Sequence, residues 1–240
     1  VLQLKNLIRL KIIYIILGVE KVGYSFKKIR RLLNNDDFFI IAIDVNKKNL
    51  AVLGIRCEGR KLIKEDSFFR YIYIDKYSQV ILFSDETSFK EKRKASAKIS
   101  KRLCRHIIEI AKEIEKEKAL KVVIVVEDYK AIKLGNISDF YLKKEIFYFR
   151  DFLRHFATEL IRTAKSEKIL IKALHPHKTS SKCPTCGSNL EFHQGRQAYC
   201  PNCRYIGDRD YTATLNLAKR LVKNLFINRT YSSVARVYRT

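Results

Sequence analysis

At 240 residues and 47% hydrophobic side chains, with 13 Tyr and 14 Phe, the chain can bury a real core, which excludes global disorder. No uncharged run exceeds eight residues, well short of the roughly 20 apolar residues of a membrane span, and Arg9, Lys11 and Glu20 break the apolar start unlike a signal peptide. Forty-nine Lys and Arg against 25 Asp and Glu give a net charge of +24 and a pI near 9.8, which opposes compaction and steers the chain toward a polyanion, nucleic acid foremost.

Residues 1–36 carry eight Lys and Arg against Glu20 and Asp36. Leu4, Leu7, Ile8 and Ile12–Ile16 suggest a short helix or strand, and Ser25–Leu33 a basic amphipathic helix. Phe38–Ile43 then reads as a buried central strand ending at Asp44. Leu50–Ile55 and Leu62–Ile74 follow as two more strands across short turns, an antiparallel meander. Ile99, Leu103, Ile107, Ile110 and Ile114 mark one face of a long helix over Phe89–Lys118. Its first half is strongly basic, a solvated face or a phosphate-tracking edge. Val122–Val126 is a strand running into Glu127, Leu142–Ser166 a second long helix, Ile169–Leu174 a strand and Tyr211–Val222 a last helix. Three strands, helix, strand, helix, strand, insert and helix is the order of an α/β, RNase H-like fold: a mixed five-stranded sheet flanked by helices.

The insert is a cysteine module. Cys183, Cys186, Cys200 and Cys203 form C-x2-C-x13-C-x2-C among turn residues. Two such knuckles supply four thiolates that close a tetrahedron around zinc. A disulfide or redox reading fits less well in a chain without an export signal. Four sulfurs leave no position for water, so this zinc is structural. His175, His177 and His193 lie nearby and read as surface or phosphate-contacting groups, while Cys57 and Cys104 read as buried inert thiols.

Three carboxylates stand where such a fold brings segments to one edge: Asp44 ends the first strand, Glu127 the fourth, and Asp210 opens the last helix. Singly, each has a plain reading as a turn residue or helix cap. Together they suit two divalent ions, Mg2+ or Mn2+, since hard cations prefer carboxylate oxygen and paired ions drive phosphodiester hydrolysis. Asp128 and Asp208 flank the set, and Asp208 competes with Asp210 for the third place.

These motifs resemble a known family. IAIDVNKKNLAVLGI (41–55) is similar to the first RuvC motif of the OrfB/TnpB family of transposon-encoded RNA-guided nucleases, and VVIVVEDY (122–129) to the second. TSSKCPTCGSNL, CPNC and GDRDYTATLNLAKR (179–220) resemble its zinc ribbon running into the third motif, a layout shared with type V CRISPR effectors. The resemblance covers about residues 38–222. It implies that Asp44, Glu127 and Asp210 are the catalytic acids and favours Asp210 over Asp208. Asn216 falls on a position the family usually keeps. Ala42 and Asn46 replace usual glycines, Thr212 a usual Asn, and Arg204 a Gly that often follows the last Cys.

The expected organisation is a basic arm (1–37), a RuvC core (38–177), a zinc ribbon (178–207) and a last-motif helix with a basic tail (208–240). The expected activity is metal-dependent cleavage of single-stranded or unwound DNA in the prokaryotic cytoplasm, with a guide RNA as a further partner. Only about 37 residues precede the first motif, where family members carry a wedge-like barrel and a recognition lobe. The chain opens at Val1 and has no Met, which reads as a non-AUG start or as the back part of a longer chain. The competing expectations are a non-cleaving DNA- or RNA-binding regulator and, more weakly, a zinc-ribbon adaptor.

Overall fold

The computed structural model describes residues 23–33, 36–84, 87–129, 140–176, 179–193 and 196–227, with 140–147 described by backbone alone. The segment read over residues 4–16, the tail after residue 227 and His177 lie outside the described residues.

Strand β1 (Asp37–Val45) is central because its sequence allows nothing else: Phe38–Ile43 are apolar on both faces and fully buried, so both faces need covering. A turn in which the Asn46 N–H donates to the Asn49 carbonyl at 2.8 Å leads into antiparallel β2 (Asn49–Glu58), with Asp44 opposite Ala51. Strand β3 (Lys61–Tyr73) pairs antiparallel with β2 at the sheet edge. Gly54 lets β2 accept the Phe68 ring of β3, since a Cβ there would lie 2.2 Å from it. On the other side of β1, β4 (Val122–Glu127) and β5 (Leu170–Leu174) run parallel to it, giving the order β3-β2-β1-β4-β5. This is the expected mixed five-stranded sheet.

Helices cover both faces. Ile41, Ile43, Ile124 and Val126 face α2 (Lys76–Phe83), α3 (Phe89–Lys118) and α4 (Phe140–Ser166). The stripe Ile99, Leu103, Ile107, Ile110 and Ile114 of α3 is buried there as expected; each side chain contributes about 1.5–3 kcal/mol by leaving water. Ser88 and Glu91 close a capping box at the start of α3, and Ala119 ends it in the left-handed region. Ile40, Ala42, Val123 and Val125 face the opposite layer, α1 (Phe26–Leu32) and α5 (Arg209–Phe226). Helix α2 was not expected: KYSQVILF has the β-branched, aromatic look of a strand, and its Tyr77 and Val80 stay exposed. The cysteine module adds a small sheet of β6 (Glu191–Phe192), β7 (Gln197–Tyr199) and β8 (Ile206–Asp208), and β8 runs directly into α5.

Candidate active site

Sheet register brings two of the expected acids together. Ala42 pairs with Val125 and Ile43 with Val126, so Asp44 and Glu127 lie side by side at the carboxyl ends of β1 and β4. Both point to the α5 face, because Ala42 and Val125, two residues earlier, belong to that layer. Helix α5 crosses this end of the sheet with Asp210 in its first turn.

Electrostatics record the approach. Asp44 keeps an accessible edge, yet burial first, then the charges of Glu127 and Asp210, push its carboxyl up to about 8 against the opposing pull of Arg209 and Arg196. Glu127 is 8% exposed, and burial raises its pKa against a hydrogen bond from the Thr179 hydroxyl, 2.5 Å to Oε1, and the charge of Arg220. Asp210 is 2% exposed. Its Oδ1 accepts from the Arg196 guanidinium, while its Oδ2 is buried with no hydrogen-bond partner.

A buried carboxylate oxygen without a donor is costly. An orphaned oxygen beside an aspartate whose pKa is raised by burial and then by neighbouring carboxylates marks a place short of positive charge, so the donor set fits divalent cations. The acids are not drawn together as tightly as the cysteines: among the described residues, only the four cysteines form a group with all ligand atoms within 4.8 Å. Asp208 has a different task. It caps α5, accepting from the N–H groups of Asp210 and Tyr211, and takes the Tyr71 hydroxyl at 3.1 Å.

Two participants, Arg196 and Thr179, escaped the sequence reading. Arg196 sits at the tip of the ribbon hairpin, 48% exposed and in the left-handed region, with no local signal of its partner. Thr179 reaches Glu127 across the fold. Asn216 was marked by resemblance alone. Its Nδ2 donates to the carbonyls of Thr179 and Lys182, both at 2.7 Å, and so holds Thr179 against Glu127. Lys219 donates to the Pro184 carbonyl and Arg220 to that of His175, extending the clasp between α5 and the start of the ribbon.

In the cysteine cluster, Cys183 and Cys203, and Cys186 and Cys200, bring their Sγ atoms to 3.5 Å. A zinc tetrahedron with bonds near 2.3 Å has edges of about 3.8 Å, so the four sulfurs fit that ion. The Thr185 N–H donates to the Cys183 Sγ at 3.4 Å. Cys186 is drawn down to about 5 by side-chain hydrogen bonds from Asn202 and Ser188. Cys203 goes the other way: against a backbone hydrogen bond from Tyr205, burial and the neighbouring sulfurs push it up to about 12. His175 and His193 are exposed and outside the cluster. Cys57 and Cys104 are fully buried, and burial pushes Cys57 up to about 12. Of the departures from the family pattern, Arg204 has φ 60°, where a Gly would sit without strain, and Thr212 is buried with its hydroxyl on the Asp208 carbonyl at 2.7 Å.

Comparison with known proteins agrees with this architecture. Residues 154–217 match the family model described as Cas12f1-like, TNB domain. A TnpB-like protein of Methanocaldococcus jannaschii is 26% identical over 88% of this chain and 78% of its own length. A second one from that organism is 35% identical over 25% of this chain and 14% of its own. Among solved structures, the mini-RNA-guided endonuclease CRISPR-Cas phi3 superposes with a TM-score of 0.57 at 13% identity, over 84% of this chain and 48% of that one. The chain thus spans about half the length of that protein.

Fold and motif order together define a RuvC-type, RNase H-like fold with an inserted four-cysteine module. Within that class, the chain is similar over most of its length to a TnpB-like protein, and residues 154–217 carry the Cas12f1-like TNB match.

Proposed function

We propose that this protein is a metal-dependent DNA endonuclease of RuvC type acting on single-stranded or unwound DNA. The observation that carries the reading is the deficit of positive charge at one sheet end of a +24 protein, where Asp44, Glu127 and Asp210 meet. These three residues would hold two Mg2+ or Mn2+ ions, which when bound supply an activated water and neutralise charge on the attacking and leaving oxygens. The chain's own residues prepare that chemistry. Asp44 gives up the proton it holds near neutral pH, Thr179 orients Glu127 through its hydroxyl, and Arg196, once off Oδ1, is free to meet a phosphate. Cys183, Cys186, Cys200 and Cys203 would hold a structural zinc, with no position left for water.

Replacing Asp44 or Glu127 by Ala is expected to lower Mg2+-dependent cleavage of single-stranded DNA, measured at low salt, by about a thousandfold or more while DNA binding persists. Cleavage equal to wild type in both variants refutes the assignment. The reading extends to an RNA partner: one solved relative, 12% identical with a TM-score of 0.50, is described as CasPhi-2 (Cas12j) bound to crRNA. Sequencing RNA that co-purifies with the protein tests this.

A second reading, a non-cleaving nucleic-acid-binding regulator, draws on one observation: the Arg196 guanidinium already neutralises Asp210 through Oδ1, in place of a metal. The same cleavage assay separates the two readings.

A further inference from the structure

Beside the acids lies a feature that metal binding does not require. Across the sheet, Asp44 pairs with Ala51, and Ala51 with Tyr71 of β3. Two strand spacings put Tyr71 about 10 Å from Asp44, on the same face. Along β3 the alternate residues Phe69, Tyr71 and Tyr73 share that face, and Tyr211 of α5 meets Phe69 edge-on. The four rings form a row, with centroids 5.3 Å apart from Tyr211 to Phe69, 5.2 Å from Phe69 to Tyr71 and 6.0 Å from Tyr71 to Tyr73. The inner rings are half-buried. Tyr73, at the end of the strand, is 68% exposed.

The row is tied to the site at one point, where the Tyr71 hydroxyl donates to the Asp208 carboxylate that caps the Asp210 helix. Cations flank it. Lys48 is exposed in the turn whose carbonyl accepts from Ile74, next to Tyr73. Arg196 lies close enough for its charge to act on Tyr71, and exposed Arg209 close enough to act on Asp44. Aromatic rings beside a positive path to a phosphodiester site are what an unpaired strand uses, since every base has a face to stack and every link a phosphate to neutralise. The ring steps exceed the roughly 3.4 Å spacing of bases in a stacked strand, and neighbouring rings are inclined by 44° to 90°, so successive bases meet successive rings only once unstacked and turned. A duplex offers its backbone and groove edges, and no free base faces.

We propose that the Tyr73–Tyr71–Phe69–Tyr211 row is a base platform. Bases of single-stranded DNA stack first on Tyr73 and then along the row, while Lys48, Arg196 and Arg209 hold their phosphates, and the strand is led to the acids. The proposal rests on the nuclease reading and names the path by which its substrate arrives.

The test measures binding by fluorescence anisotropy in an Asp44→Ala background, with a labelled single-stranded DNA oligonucleotide, the same backbone carrying abasic sites, and the matching duplex. Tyr73→Ala is expected to weaken the base-bearing strand by roughly fivefold to a hundredfold. It leaves the abasic strand and the duplex unchanged, and Tyr73→Trp restores the affinity. Because Tyr73 is mostly exposed, neither variant threatens the fold. The platform is overturned if both variants bind the base-bearing strand like wild type, or if Tyr73→Ala weakens all three probes alike. It is also overturned if Tyr73→Ala changes only the sedimentation of the protein, which would make the row a protein contact. Base-dependent loss at Tyr73 in a protein whose Asp44 form never cuts DNA would uphold the platform and refute the nuclease reading.

Discussion

The acid edge and the cysteine cluster both gather groups that seek a cation, and they are built in opposite ways. The cysteines come from one stretch of 21 residues and close to metal-binding separation by local turns, with all four sulfurs within 4.8 Å of one another. The acids come from β1, β4 and α5, are joined only through the sheet, and are partly satisfied by protein: Thr179 on Glu127 and Arg196 on Asp210. A local cluster is preassembled for a permanent ion. Under the proposed function, the cluster assembled by the fold has stand-ins that must yield, which suits ions that come and go with substrate.

Breaking the preassembled side should have the larger effect. If the proposed zinc is bound there, Cys200→Ser or exhaustive chelation should release it and cost more than about 3 kcal/mol in urea unfolding, with zinc content measured in parallel. It should also release Arg196 and Thr179 from the acids. The stand-ins are probed by Arg196→Ala, expected to tighten Mn2+ binding to the acid edge by about tenfold in a calorimetric titration, since the charged hydrogen bond to Asp210 no longer competes. Unchanged affinity would remove Arg196 from the contest.

The pH response sharpens the comparison further. Asp44 binds its proton more tightly folded than unfolded, so its contribution is full below about pH 4 and is lost as pH rises through about 8. Without metal, Asp44→Asn should therefore gain on wild type between pH 5 and 8.5, by at least about 1 kcal/mol or 2–4 °C in Tm. Added Mg2+ should narrow the gap. The smallest effect belongs to the ribbon backbone: Arg204→Gly removes left-handed strain and should stabilise the metal-bound protein by about 0.5–1 kcal/mol by thermal melt.

The same contrast explains what was legible in the sequence. Short-range spacing announced the cysteine module, and period-2 and period-3.6 patterns announced the sheet and its long helices. The order of those elements then pointed to Asp44, Glu127 and Asp210. Helix α2 was missed because it is short and β-branched and aromatic in look, and two of its five apolar residues, Tyr77 and Val80, remain in solvent. Arg196 and Thr179 were invisible because neither partner lies on the same element: a hairpin tip and a loop reach them only after the ribbon folds back on the core. The segment carrying the row was read as the third strand, Leu62–Ile74, and its neighbours emerged only from the register that lines Tyr71 up with Ala51 and Asp44.

The two carbonyls held by Asn216 have a consequence for portability. The ribbon is fastened to α5 and, through Thr179, to an acid on β4, so it is not an interchangeable attachment. A ribbon transplanted from a relative would have to bring its own Thr179 and keep Asn216 in the host helix. Otherwise the graft would fold around its metal and leave the neighbouring carboxylate unsteered.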